Sequence, residues 1–158
     1  MSNRRAMLAM TTLHRAILRL TRGRLGWSLG AMRVIELQTR GRKTGAQRRA
    51  ILTVPVIETG PSGENLVVIA SRGGDDLYPA WYLNLVADPI VGVSTRGSEL
   101  VPHRARTVDA DERARLWPRV VSAYRGYEAY QRRTEREIPV VILEPTSTTK
   151  PAESISVS

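Results

Sequence analysis

The chain has 158 residues, no cysteine and a formal net charge of +9. That length suits one domain with a core of its own. The lack of cysteine excludes disulfides and thiolate metal sites, and His14 and His103 match no metal motif, so no metal site is expected. The charge is unevenly placed. Residues 1–49 carry 12 Lys or Arg against one acid, Glu36, whereas the remainder carries 12 against 14. A basic first third calls for an anionic partner: nucleic acid, lipid head groups or an anionic cofactor. Aromatics show the opposite skew, with Tyr78, Trp81, Tyr82, Trp117, Tyr124, Tyr127 and Tyr130 in one later stretch. An early basic turn and a late aromatic cluster read as two walls of one site, one for charge and one for a flat ring. No segment is apolar long enough to span a bilayer. No secretory signal is evident, so a cytoplasmic protein is the expectation.

Residues 5–22 have the period of a basic amphipathic helix: Met10, Leu13, Ile17 and Leu20 on one face, Arg15, Arg19 and Arg22 on the other. Gly23 and Gly26 end it. Such a helix either docks on its own domain or lies peripherally on an anionic membrane surface. Strands follow at 33–39 and 48–58, then a turn at 60–65 and a strand from Leu66 to Ser71, so that 48–71 reads as a hairpin. Ser71-Arg72-Gly73-Gly74-Asp75-Asp76 is a loop. Pro79 opens a short helix with Ala80 to Val86 as its body. Ile90 to Thr95 and Glu99 to Val108 are strands. Asp109 caps a helix reaching about Ala123, a second helical piece covers Gly126 to Arg133, and Ile138 to Leu143 is the last strand. Residues 146–158 are polar and aperiodic, as in a disordered tail. About six hairpin-linked strands with inserted helices predict an α+β fold, an antiparallel barrel with helices at its openings; the elements do not alternate as a parallel sheet requires.

The most informative stretch is Thr39-Arg40-Gly41-Arg42-Lys43-Thr44-Gly45, followed by Arg48 and Arg49. Apolar runs flank it, so it reads as strand, basic turn, strand. Glycine admits positive φ, and exposed amides beside Arg and Lys form a concave anion site. A solvated basic hairpin is the plainer alternative. No nucleophile elbow, Walker motif or Rossmann fingerprint is present, and paired carboxylates are lacking. What remains suits a bound redox cofactor that supplies the reactivity while the protein supplies placement.

Several pieces, in order over residues 33–145, resemble the deazaflavin (coenzyme F420)-dependent nitroreductase and quinone-reductase family of actinobacteria. They are the basic turn with Arg48, Ala70-Ser71-Arg72-Gly73-Gly74, Pro79-Ala80-Trp81-Tyr82-Leu83-Asn84-Leu85, Glu112-Arg113-Ala114 with Trp117, the three late tyrosines, and Arg136 with Ile138-Pro139-Val140-Val141. The resemblance implies a split β-barrel over residues 27–145, between the helix at 1–26 and the tail at 146–158. It implies F420 as hydride donor and a quinone or nitro compound as acceptor. By motif position Gly41, Arg42, Lys43, Thr44, Arg48 and Leu52 would hold the cofactor, the cations on its anionic tail. Ser71, Arg72, Gly73 and Gly74 would line the ring, with Trp81 and Asn84 beside it. Tyr124, Tyr127 and Tyr130 would form the substrate wall, with Tyr127 and Ser71 the catalytic candidates. Two positions depart from the family pattern: Ile51 stands where proline is usual, and Arg72 where lysine is.

Two other classes compete. Arg40-Gly41-Arg42 is similar to the core of a minor-groove hook, but the usual following proline is replaced by Lys43. A carrier of F420, or a lipid-surface protein without turnover, would use the same basic surface. A quinone acceptor would make membrane contact by the first helix useful.

Overall fold

In a computed structural model, the described residues are 32–146, with the backbone of Ser28 and Leu29. The expected N-terminal helix and all but the first residue of the expected tail lie outside them. Eight strands form one antiparallel sheet: β1 (Ser28–Leu29), β2 (Met32–Arg40), β3 (Gln47–Val54), β4 (Val56–Gly60), β5 (Gly63–Ile69), β6 (Ile90–Ser94), β7 (Val101–Thr107) and β8 (Val140–Pro145). Three helices accompany it: α1 (Ala80–Ala87), α2 (Ala110–Ala123) and α3 (Gly126–Arg132).

The sheet curls because one bent stretch serves both of its ends. β3 pairs along its whole length with β2, from Arg33 opposite Val54 to Arg40 opposite Gln47. After Pro55 the chain leaves β2, and β4 pairs with β5. The expected single strand 48–58 is therefore two, and only its second half joins the expected hairpin. Proline has no N–H to give a ladder and sits where pairing breaks. The break also changes face: Val54 packs inside the barrel, whereas Val56 packs with the outer cluster. Uninterrupted alternation would have put both on one side. The hairpin turn is also tighter than expected, Pro61 and Ser62 alone separating β4 from β5.

Two apolar clusters explain the unbroken runs Leu66 to Ala70 and Ile138 to Leu143. The inner one takes Ile35, Leu37, Leu66, Val68, Val93, Val141 and Leu143, closed at one opening by Leu85 of α1. The outer one takes Val67, Ile69, Val140 and Ile142 from the other face of β5 and β8. Leu116 and Val120 of α2 and Tyr127 of α3 cover them. Strands buried on both faces need not alternate. Of the helices expected at the openings, α1 takes that place and α2 and α3 lie over an outer face. Among the described residues no helix is long and apolar enough to cross a membrane.

α2 is fixed at both levels. Its Asp109 carboxylate accepts the Glu112 N–H at 2.8 Å, the expected cap. Its exposed side is pinned to β4 through Glu58, which accepts from Arg115 at 2.7 and 3.2 Å and from Arg119 at 2.7 Å. The Arg115 hydrogen bond, joined by that of Arg119, outweighs partial burial and lowers the Glu58 carboxyl to about 2. A carboxyl held below its unfolded value stabilises the fold above about pH 4.5, and the contribution is lost as pH falls through about 2. Allowing for solvent around the two half-exposed guanidiniums, it is worth roughly 1 kcal/mol. Glu58→Gln should therefore lower the melting temperature at pH 6 and flatten its fall between pH 6 and pH 3. An unchanged pH profile would show that the carboxylate contributes nothing.

Candidate functional site

The β2–β3 connection is built to present cations. The Gly41 N–H donates to the Ala46 carbonyl at 2.8 Å, and the Gly45 N–H to the Gly41 carbonyl at 2.7 Å. Gly45 has φ +73°, a left-handed conformation that costs glycine little. The Thr44 hydroxyl accepts the Ala46 N–H at 3.3 Å. Arg42, Lys43 and Thr44 are left exposed at the tip.

Helix α1 docks against this turn through Asn84. Its side-chain oxygen accepts from the Arg42 N–H at 3.2 Å and from the Arg42 guanidinium at 3.3 Å. Its amide nitrogen donates to the Thr39 hydroxyl at 3.2 Å. Asn84 is 4% exposed. It ties the turn to the helix, and so sets where Arg42 points.

Between turn and helix lies a cleft of about 390 Å³. Of the sequence candidates, Gly41, Arg42, Lys43, Thr44, Arg48, Trp81 and Asn84 line it. Thr39, Arg49, Ala50 and Ala80 line it as well, and were not candidates as cofactor ligands; register puts Thr39 and Ala50 on the same face as Arg48, and the helix after Pro79 brings Ala80. Leu52 is two residues beyond Ala50 on the same face of β3, but packs against the inner core. Several arginines are matched to acids, Arg33 to Glu64, Arg106 to Glu112 and Glu144 and, in the cleft lining itself, Arg49 to Glu36. Arg42, Lys43 and Arg48 have no carboxylate partner among the described residues. Three exposed cations facing one cleft without counter-charge form a donor set for a ligand that brings several negative charges of its own.

The second group of candidates is gathered around the loop before α1. Residues Arg72–Gly74 make one 3-10 turn, with φ of 45° at Arg72, 67° at Gly73 and 81° at Gly74. Non-glycine residues rarely take such φ, so Arg72 is strained. Helix α3 packs directly on this turn: a Cβ on Gly74 would stand 2.6 Å from the Tyr130 carbonyl oxygen. The three tyrosines form one cluster, with ring centroids 5.4 to 6.3 Å apart. Within it Tyr127 is 5% exposed, and its hydroxyl is 2.8 Å from that of Thr53 on β3. Tyr124 is 42% exposed and Tyr130 half-buried. The outward face of the expected substrate wall thus belongs to Tyr124 rather than Tyr127. Burial raises the Tyr127 phenol, and burial followed by the neighbouring Tyr124 pushes Tyr130 up to about 12. Both stay protonated near neutral pH and remain able to donate a hydrogen bond.

Ser71 lies half-buried at the start of the same turn. The loop continues to Tyr78, which packs at 5.4 Å on Tyr82 of α1, and Trp81 follows at the cleft. β3 passes between the two groups, lining the cleft at Ala50 and meeting Tyr127 at Thr53.

Residues 10–145 match the family model described as F420H(2)-dependent quinone reductase. An F420H(2)-dependent quinone reductase of Mycobacterium tuberculosis is 38% identical over 136 residues, 83% of this chain and 87% of that protein. The fold resembles a solved F420-H2 dependent reductase, with a TM-score of 0.60, 37% identity, and 70% of this chain and 93% of that one covered. A chain solved as a domain-swapped dimer matches with a TM-score of 0.62 and 32% identity, over 84% of this chain and 96% of the other. The chain belongs to the F420H(2)-dependent quinone reductase family.

Proposed function

We propose that this chain is an oxidoreductase that takes reducing equivalents from reduced coenzyme F420 and delivers them to a quinone. The observation that carries the reading is the cleft beside Trp81, where Arg42, Lys43 and Arg48 stand without acids. F420 joins a flat ring to a multiply anionic tail, so that donor set fits the tail, and the Ser71 turn and tyrosine cluster are left for the ring and acceptor. The bound deazaflavin supplies a hydride donor. The protein's part is to bind the tail, orient the ring and cover the acceptor. Arg42 and Lys43 give charge-assisted hydrogen bonds, with Asn84 fixing the Arg42 geometry. In this reading Ser71 and the exposed Tyr124 hydroxyl would hydrogen-bond an acceptor oxygen as charge develops on it, while Tyr127, held on Thr53, packs against Tyr124.

Nitro compounds are a second acceptor class, since they too take a hydride at an electron-poor centre. Peripheral contact with an anionic membrane through residues 5–22 would bring the protein to a lipid-soluble quinone. The test is oxidation of F420H2 followed at the absorbance of the oxidised cofactor, with menadione as acceptor. We expect menadione-dependent oxidation of F420H2 and none of NADPH in its place. Tight F420 binding without oxidation by menadione or any other quinone would point to a carrier and overturn the catalytic reading.

A further inference from the structure

Arg136 gathers the carbonyls of the Ser71 loop onto one guanidinium. Its Nε donates to the Asp75 carbonyl at 2.9 Å. Nη1 and Nη2 both donate to Ala70 at 3.3 Å, and Nη2 also to Ser71 at 3.0 Å and to Leu77 at 3.3 Å. Its flat face lies 4.8 Å from the centre of the Tyr78 ring. In sequence Arg136 shows no periodicity and no motif chemistry of its own.

This arrangement decides which way the amides face. In a trans peptide the carbonyl of one residue and the N–H of the next point in opposite directions. Drawing the Ala70 and Ser71 carbonyls towards Arg136 therefore turns the Ser71 and Arg72 N–H groups away from it. Ser71 is right-handed helical, φ −76° and ψ −35°, and Arg72 is left-handed with φ 45°. That sequence of conformations makes successive amides converge on one concavity, which receives negative charge. The N–H groups of Ser71, Arg72 and Gly73 have no hydrogen-bond partner among the described residues. The left-handed Arg72 is strained, because its Cβ crowds the following carbonyl. Such strain persists where surrounding contacts over-determine the backbone, and the Arg136 fork is that contact.

We propose that Arg136 is a positioning residue, which holds the amides of Ser71, Arg72 and Gly73 as a preformed nest for an electronegative atom of the deazaflavin ring. The inference rests on the F420 reading above. It assigns the ring contact to backbone rather than to the Arg72 side chain, so the replacement of the family's usual lysine at Arg72 leaves the contact intact. Lysine at 136 would keep the charge but lose the planar fork that reaches four carbonyls at once.

The test uses the full chain and Arg136→Lys, with two binding probes: F420 and the same deazaflavin chromophore lacking the anionic tail. In Arg136→Lys the affinity for the tail-less chromophore should fall by about tenfold. The affinity for intact F420 should change by less, because the cleft still holds the tail. A displaced ring should lower kcat with menadione by roughly 10- to 100-fold at little cost in KM for F420H2. Amide exchange on the unaltered chain gives a second readout, independent of the variant's folding: F420 should protect the amides of residues 71–73. Unchanged chromophore affinity in a folded Arg136→Lys, or F420 binding without protection of those amides, overturns the proposal while leaving the F420 reading intact. Failure of the unaltered chain to bind F420 overturns both.

Discussion

Replacing Arg42 and Lys43 together by alanine should weaken F420 binding by roughly a hundredfold, with little change in melting temperature. Each side chain offers a charge-assisted hydrogen bond of about 1.5–3 kcal/mol when it meets an anion. Both are exposed at the turn tip, so the lower value is the better guide, and two such losses give the stated factor. Neither has a carboxylate partner among the described residues, so no ion pair described there is lost. The Arg42 N–H, which does the docking to Asn84 at 3.2 Å, survives the substitution. Salt should show the same cause. Affinity of the unaltered chain should fall steeply as ionic strength rises, and the double variant should show a shallower slope. Retained affinity with an unchanged salt slope would remove the turn from the binding site.

The single variants refine the point. Lys43 has no side-chain hydrogen bond or ion pair among the described residues, so Lys43→Ala should act on affinity alone. Arg42→Ala also frees one acceptor position of the buried Asn84 side chain. It should therefore cost slightly more, and part of that cost should reach catalysis through the looser turn. Arg48 lines the same cleft from β3, and its exposed position makes it a third, weaker contributor.

How much of this was legible in the chain depends on whether the signal was local. The basic turn was, because two glycines and five cations interrupt two apolar runs within eleven residues. The Asp109 cap and the end of α2 near Ala123 were, because capping and helical period act over a few residues. The division at Pro55 was not, since pairing with β2 on one side and β5 on the other is decided by sheet closure. The tyrosines showed the same limit. A step of three along a helix puts residues near one another but not on a stated side. Which of them turns inward is set by the outer face of β5 and β8 and by Thr53, more than seventy positions away. The contacts of Asn84 were not legible, because its partners, Thr39 and Arg42, come from a hairpin remote in sequence. Arg136 was visible as part of a motif and silent as to role, since all its partners are backbone carbonyls, which have no sequence signature.

The most damaging single substitution predicted on the site is Gly74→Ala. Two independent costs coincide there. Gly74 has φ +81°, outside the range that residues with a Cβ accept readily, for about 1–2 kcal/mol. The new Cβ would also stand 2.6 Å from the Tyr130 carbonyl oxygen and 3.0 Å from the Arg133 Cβ. The obstruction is the backbone of α3, so no rotamer change relieves it; the helix must move off the turn, and overpacking of that kind costs about 1–3 kcal/mol. Together the two should remove roughly 3 kcal/mol and lower the melting temperature by several degrees. The displacement should also be directional. Tyr127 is anchored on Thr53 and Ile138 beyond α3 is fully buried, so the movement should concentrate at Tyr130, Arg133 and the Ser71 turn. F420H2 oxidation should then fall further than tail binding does, as measured by kcat beside the F420 dissociation constant. A Gly74→Ala protein with unchanged melting and unchanged kcat would mean that α3 does not rest on the turn, and the link between the tyrosine cluster and the Ser71 loop would have to be abandoned.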